Sequence, residues 1–231
     1  MSKRKDLPDK DLERWLTGAA AGRAPAFALA LDSSYGGGPD AATWNRVQQR
    51  LRDRLKASTP RVYYDRVKST LVGPLWVAVT DHGLAAVTYG GSKAEFAGWI
   101  GRRLRSTPIR SAERTAAARR ELDEYLRGRR TAFSVPVDLR HVTPFQRSVL
   151  EAARSVPRGQ VATYGDIGRS IGKPGAARAV GQALGSNPVP IVVPCHRVLA
   201  SDGSLGGYSG RGGLSTKRRL LALEGAALPL G

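Results

Sequence analysis

YGDIGRSIGKPGAARAVGQAL, residues 164–184, reads as a helix from Tyr164 to Ile171, a tight turn at Gly172-Lys173-Pro174 and a second helix from Gly175 to Leu184. Helix, short glycine-bearing turn, helix is the helix-turn-helix arrangement. The second helix carries Ala176, Ala177, Ala179 and Gly181 around Arg178. Side chains this small permit close approach, either to a nucleic-acid groove or to a neighbouring helix, and composition alone leaves both open.

Upstream, Pro144 opens a helix at a favourable first-turn position. Phe145, Val149, Ala153 and Val156 fall on one face, and Pro157-Arg158-Gly159 ends it. Downstream, Pro190-Ile191-Val192-Val193-Pro194 predicts a buried extended stretch leading to Cys195. A glycine-rich loop, Gly203 to Gly213, then precedes a closing helix, Thr216 to Glu224.

Before Pro144 the pattern is different. From Arg61 it has period two: Val62-Tyr63-Tyr64, Leu75 to Thr80 and Leu84 to Tyr89 are short β-rich runs. Gly73-Pro74 and Asp81-His82-Gly83 separate them, which predicts a small antiparallel sheet. Lys93 to Leu104 and Ala112 to Leu126 read as helices, and Phe133 to Leu139 as an extended linker. Residues 1–60 read as an extension of no assigned role, with helices at Leu7–Leu16 and Trp44–Leu55 flanking an Ala/Gly/Pro-rich stretch, Gly18–Pro39. The fold class is therefore α/β in two lobes: a small sheet-and-helix lobe over 61–140, then a mainly helical lobe with the helix-turn-helix over 141–231.

Charge narrows the partners. The chain of 231 residues carries 37 Lys+Arg against 19 Asp+Glu, a net +18. The excess is spread, with 11 basic and 7 acidic residues in 1–60, 15 and 8 in 61–140, and 11 and 4 in 141–231. Cationic side chains that meet phosphates release counterions, so a nucleic acid is favoured over an anionic membrane. Ala24 to Leu31 is the longest early apolar run, far short of the roughly 20 residues a spanning helix needs. Asp9, Asp11 and Glu13 are wrong for a signal peptide. One cysteine excludes an intrachain disulfide or a thiolate metal cluster, and three scattered histidines (His82, His141, His196) disfavour zinc. A reducing cytoplasm is the expected setting.

The chemistry concentrates at Pro194-Cys195-His196-Arg197-Val198. A lone cysteine is often only a small buried hydrophobe. Here an imidazole can take the thiol proton, and a cation such as Arg197 favours the thiolate, which is the nucleophile. Sequence neighbours need not face each other, in which case a water must link His196 to the sulfur. The residues alone leave both readings open.

Five motifs bear on the choice: Val161-Ala162-Thr163-Tyr164-Gly165-Asp166-Ile167, Ala176-Ala177-Arg178-Ala179-Val180-Gly181, Ser186-Asn187-Pro188, Pro194-Cys195-His196-Arg197-Val198 and Gly206-Gly207-Tyr208-Ser209-Gly210. In this order they resemble the methylated-DNA–protein-cysteine S-methyltransferases, the 6-O-alkylguanine DNA alkyltransferases. The resemblance runs from about Arg61 to Gly225 and is strongest after Pro144. It implies stoichiometric, irreversible alkyl transfer from 6-O-alkylguanine in duplex DNA, by a monomer acting without cofactor, metal or membrane. Cys195 resembles the alkyl acceptor. His196 is similar to the histidine that deprotonates it through water, and Glu224 to the carboxylate that orients and charges that histidine. The alternative for Glu224 is an exposed acid at a helix end. Asn187 resembles an asparagine that braces the active-site turns, and Tyr164 a tyrosine that donates toward the departing base. Val198, Tyr208 and Ser209 would line the base pocket. Arg178 would fill the space a flipped nucleotide leaves, on a minor-groove helix whose Ala176, Ala177, Ala179 and Gly181 allow close approach.

Three features depart from that pattern. Arg211-Gly212 makes the loop after Gly210 about two residues longer, which bears on the alkyl groups admitted. Leu150 stands where bacterial relatives often carry tryptophan, and residues 1–60 align with nothing in the family core. Two rival functions differ in kind. A non-catalytic damage sensor would lack the acceptor cysteine, and a cysteine hydrolase would need an oxyanion hole that the sequence does not show.

Overall fold

The computed structural model describes residues 45–50, 61–68 and 70–226. The chain divides at Thr59/Pro60 into two units, and residues 45–50, in the first, are helical. The helix expected over Leu7–Leu16 and the stretch Gly18–Pro39 lie outside the described residues.

In the second unit the sheet lobe comes first. Strands β1 (Tyr63–Val67), β2 (Leu75–Thr80) and β3 (Gly83–Tyr89) form an antiparallel meander, with the short β4 (Ile109–Arg110) parallel to β1, in the order β3-β2-β1-β4. All six residues of β2 are buried. That is the pattern of a strand covered on both faces. Trp76 and Ala78 point to one side, with Val62, Tyr64 and Ala86, and are covered by Phe96, Ile100 and Leu104 of helix α1 (Lys93–Leu104). Leu75, Val77 and Val79 point to the other, in one core with Leu122, Tyr125 and Leu126 of helix α2 (Ala116–Leu126) and the apolar residues of the helical lobe. Helix α1 starts where the sequence predicts, at a capping box in which Ser92 Oγ accepts from Glu95 N (3.2 Å) and Glu95 accepts from Ser92 N (2.6 Å). Helix α2 starts four residues later than predicted. The Thr115 hydroxyl bonds back to the Ser111 carbonyl at 2.7 Å and holds residues 112–115 in turns.

The free edge of β3 is closed from outside the sheet. Leu84 N donates to Pro136 O and Asp138 N to Leu84 O (2.8 and 2.9 Å), so the linker lies along the strand. Val87 N then donates to Pro188 O at 2.8 Å, which joins the helical lobe to the same edge. An edge strand's unpaired amides are thereby satisfied.

The helical lobe consists of α3 (Pro144–Arg154), α4 (Tyr164–Ser170), α5 (Ala177–Gly185) and α6 (Gly213–Glu224). Thr143 caps α3 by accepting from Gln146 N (3.2 Å), with Pro144 in the first turn. Val149, Leu150 and Ala153 are fully buried, so leucine fills the position where a tryptophan was the alternative. Helices α4 and α5 flank a turn at residues 171–176 and pack on each other and on α3, as a helix-turn-helix does. Thr163 and Asp166 form a second capping box at the start of α4. The two-residue strand β5 (Ala162–Thr163) lies parallel to β6 (Val198–Leu199), which sets Tyr164 beside the segment leaving Cys195.

Two expectations in this lobe are corrected. Helix α6 begins at Gly213, three residues before Thr216, because Gly212 at φ 88° supplies the left-handed turn that starts it. Residues 190–194 are buried but not extended. Val193 N bonds back to Val189 O (2.9 Å) and Ile191 has φ 77°, so the apolar run is a tight turn. An unbroken apolar run signals burial and does not distinguish a strand from a buried turn.

Candidate active site

That turn aims the thiol. Asn187 holds both sides of it, with Oδ1 accepting from Val189 N and Nδ2 donating to Val193 O, each at 2.9 Å. A left-handed φ at a β-branched residue costs on the order of 1–3 kcal/mol, so the packing around Ile191, which is 1 % exposed, must hold it there. The chain leaves through a 3₁₀ turn, Cys195–Arg197, stitched by Cys195 N to Val193 O and Arg197 N to Pro194 O (both 2.9 Å).

Cys195 is 8 % exposed and lies in the wall of a cavity of about 260 Å³. Tyr164, Gly181, Leu184, Gly185, Gly207, Tyr208 and Ser209 complete the lining. The structure thus brings Cys195, Tyr164, Tyr208 and Ser209 around one space. Val198 is not among the lining residues. It is fully buried in β6, and its carbonyl is taken by Lys217 Nζ at 2.6 Å.

Behind the cysteine runs a buried chain of charges. His196 Nε2 and Glu224 Oε1 are 2.5 Å apart, and both side chains are wholly buried. Arg197 donates from Nε to Glu224 Oε2 (2.7 Å) and from Nη2 to Oε1 (3.2 Å), and Tyr125 donates its hydroxyl to Oε1 (2.5 Å). Glu224 is therefore no exposed helix-end acid. Burial opposes its charge, but the bonds from His196, Arg197 and Tyr125 prevail and bring its pKa down to about 2. An ionised carboxylate can only accept, so His196 Nε2 carries the proton. Nδ1 is then the lone-pair nitrogen, buried and, among the described residues, without a hydrogen-bond partner.

Burial acts on the charge of both partners in the Cys195–His196 pair. Burial pushes the His196 imidazole down, against the opposing pull of the Glu224 carboxylate. Burial likewise pushes the Cys195 thiol up, opposed by the Asn187 amide, Lys217 and the backbone N–H groups of Cys195 and His196.

The cation beside the thiol is not the one the sequence suggested. Arg197 is committed to Glu224 and, through Nη1, to the Val156 carbonyl at 2.5 Å. Lys217 fills the role. It is fully buried, donates to the carbonyls of Val198 and Leu205 (2.6 and 2.5 Å), and is the positive charge whose field favours the thiolate. Burial brings its own pKa down to about 8. The signal for it was present in the spacing, since Lys217, Leu220, Leu221 and Glu224 share the buried face of α6. Tyr125 carried no comparable signal, because its partner lies 99 residues away.

Arg178 lies on α5, exposed and, among the described residues, without a hydrogen bond or ion pair. Residues 178, 181 and 185 share a helix face by spacing, and Gly181 and Gly185 line the cavity. Ala177 is exposed as well, and Ala176, Ala179 and Gly181 are half-buried, so this helix presents small side chains and one free cation outward. No cluster of metal-ligating side chains occurs among the described residues. None of the described helices is long and apolar enough to cross a membrane.

Comparison with known proteins gives one picture. Residues 144–226 match the family described as 6-O-methylguanine DNA methyltransferase, DNA binding domain, and residues 62–139 the one described as 6-O-methylguanine DNA methyltransferase, ribonuclease-like domain. A methylated-DNA–protein-cysteine methyltransferase of Methanosarcina acetivorans is 36% identical over 165 residues, which cover 71% of this chain and 99% of that one. A protein of the same name from Mycolicibacterium paratuberculosis is 50% identical over 109 residues, covering 47% of this chain and 64% of the relative. The solved structure of Mycobacterium tuberculosis OGT in complex with DNA superposes with a TM-score of 0.60 at 38% identity, covering 71% of this chain and 92% of that one.

Proposed function

From a chain that belongs to the methylated-DNA–protein-cysteine methyltransferase family, we propose a protein that repairs DNA by moving an alkyl group from 6-O-alkylguanine in duplex DNA onto its own Cys195. The observation that carries this reading is the position of the only cysteine, in the wall of a small cavity with the His196–Glu224 pair behind it. His196 Nδ1, the free lone pair, takes the thiol proton through a water as substrate arrives. Glu224, held ionised, stabilises the imidazolium that results. The sulfur then bonds to the alkyl carbon, the carbon–oxygen bond breaks, and the electron pair stays on the guanine oxygen. Tyr164, with its hydroxyl beside the cavity against Gly206, donates toward the departing base and so limits the charge that builds on it. The proton held by His196 then returns through water to the Tyr164 oxygen, so that both side chains are restored and the thiol's proton is in sum the one gained by guanine.

A base inside a duplex cannot reach a buried thiol without leaving the stack, at a cost of a few kcal/mol. Arg178, free on the face of α5 that leads into the cavity, takes the place of the flipped nucleotide, and the small residues beside it let the helix sit in the minor groove. Tyr208 and Ser209, which line the cavity, hold the extruded base. The thioether formed has no leaving group at neutral pH, so each molecule reacts once.

Intact-mass measurement after incubation with excess methylated duplex tests this. A single methyl increment on the peptide containing Cys195, with product reaching a plateau proportional to protein, is the expected result. Several products per molecule, or an unmodified Cys195 beside repaired DNA, would overturn the single-turnover reading.

A further inference from the structure

The loop that walls the cavity, residues 206–212, meets the sheet lobe at two adjacent points, bonded to it at the first and packed on it at the second. The hydroxyls of Tyr208, a cavity-lining residue, and Tyr89, the last residue of β3, share a hydrogen bond of 2.5 Å, and their rings meet edge to face with centroids 6.2 Å apart. Gly210 is wedged against both rings, since an added Cβ would lie 2.4 Å from Tyr208 Cε1 and 2.8 Å from Tyr89 Cε2. One residue further along each segment, the Arg211 guanidinium lies over Gly90, where an added Cβ would sit 2.5 Å from Nη1. Gly90, at φ 58°, leaves the space that the guanidinium occupies. Arg211 also lends positive charge toward Glu95 at the start of α1. Arg211 is one of the two residues by which this loop departs in sequence from the family pattern, and its side chain reaches across to the sheet lobe.

We infer that Tyr89 and Arg211 are specificity-determining positioning residues, which fasten the Tyr208 wall of the cavity and so set the size of the alkyl group that can reach Cys195. The inference deepens the reading of the cavity as an alkyl site. A methyl group needs no movement of the wall. A benzyl-sized group does, and it must displace a ring that is bonded at its hydroxyl and packed on Gly210. Loss of either fastening should therefore favour bulky reagents selectively, whereas general loosening would speed small and bulky reagents alike.

The experiment uses the full chain, whose single cysteine makes modification unambiguous. Rates of Cys195 alkylation by iodoacetamide and by N-benzyliodoacetamide, which present the same electrophilic carbon, are compared in wild type, Tyr89→Phe and Arg211→Ala. The benzyl-to-unsubstituted ratio should rise about fivefold in Tyr89→Phe, the factor that one hydrogen bond of about 1 kcal/mol is worth. Arg211→Ala should raise it in the same direction. Tyr208→Phe removes the other half of the same bond, so the Tyr89→Phe/Tyr208→Phe pair should match either single variant. A ratio unchanged in both Tyr89→Phe and Arg211→Ala, or both rates rising equally, overturns the inference. Because labelling needs no DNA, a wild type that fails to take methyl from methylated duplex would sink the proposed function while the ratio still decides the clasp.

Discussion

Helices α5 and α6 belong to one lobe, α5 lining the cavity and α6 carrying the buried charges behind Cys195, yet they treat charge in opposite ways. On α5, Arg178 stands in solvent with no partner among the described residues. On α6, Lys217 and Glu224 are buried and every one of their hydrogen-bonding partners comes from the protein. A charge meant for a partner molecule must be left free. A charge meant to hold a proton in place must be fixed before the substrate arrives, in surroundings where it acts strongly. On the proposed function, the two helices divide these tasks.

The largest test of this division is on α6. Glu224→Ala strands Arg197 and His196 in the core, and removing one partner from a buried ion pair costs about 3–5 kcal/mol. Urea unfolding should show that loss, and alkyl transfer should disappear with it. The same carboxylate predicts acid sensitivity. Its pKa in the folded protein, about 2, lies below the ordinary 4.5. Its contribution is therefore complete above the ordinary value and is lost as pH falls from there toward 2, a change on the order of 3 kcal/mol. Glu224→Gln should flatten that part of the stability curve. A curve of unchanged slope would mean that the bonds at Glu224 do not stabilise the charge as described.

Arg178→Ala should do the reverse, leaving stability within about 0.5 kcal/mol of wild type, as surface substitutions do. Repair of duplex DNA should slow roughly 100-fold, equivalent to about 3 kcal/mol of flipping cost no longer offset. Reaction with free 6-O-benzylguanine, which is never stacked, should change little. Parallel losses on the two substrates would remove the contrast between the helices.

Much of this was readable before the structure, and what was not follows a physical rule. The helix-turn-helix, the three main strands and α1 rest on local patterns and are found in the expected order, although β1 runs on to Val67 and α5 begins two residues late, at Ala177, where no side chain caps it. The misread segments are those where local pattern is silent. An apolar run cannot announce that Asn187 will fold it into a turn, and Thr115 can bond either to its own turn or begin a helix. The thiol itself was legible, as were His196 and Glu224, through a resemblance of motifs. Their charge states were not. Whether burial or a partner controls an imidazole depends on distances that no sequence contains, and the same holds for the choice of Lys217 over Arg197 as the cation beside the thiol.

Lys217 offers a smaller effect. Lys217→Met comes within one atom of the side chain's length but leaves the Val198 and Leu205 carbonyls without their donor, a cost of about 1–3 kcal/mol. The thiol also loses its nearby positive charge and moves further up. Transfer at neutral pH should fall by roughly tenfold, equivalent to about 1.4 kcal/mol, and recover in part as pH is raised. A rate loss that is the same at every pH would assign Lys217 to structure alone.

The smallest effect is expected one residue away. Arg218 follows Lys217 on α6 but is exposed, and it has no hydrogen bond or ion pair among the described residues. It resembles Arg178 in charge, exposure and freedom, and differs in lying on the helix assigned to chemistry and not to DNA. If the two helices divide their tasks as argued, Arg218→Ala should leave stability within about 0.5 kcal/mol and transfer rates unchanged on either substrate. Should Arg218 touch a phosphate, the slope of log affinity against log salt would fall by about one unit, equally for every sequence tested. That outcome would extend the DNA footprint without disturbing the argument. A slowing confined to duplex substrate and as large as that of Arg178→Ala would not fit. It would mean that any free arginine on this face promotes flipping, and that the small-residue surface of α5 confers nothing particular on Arg178.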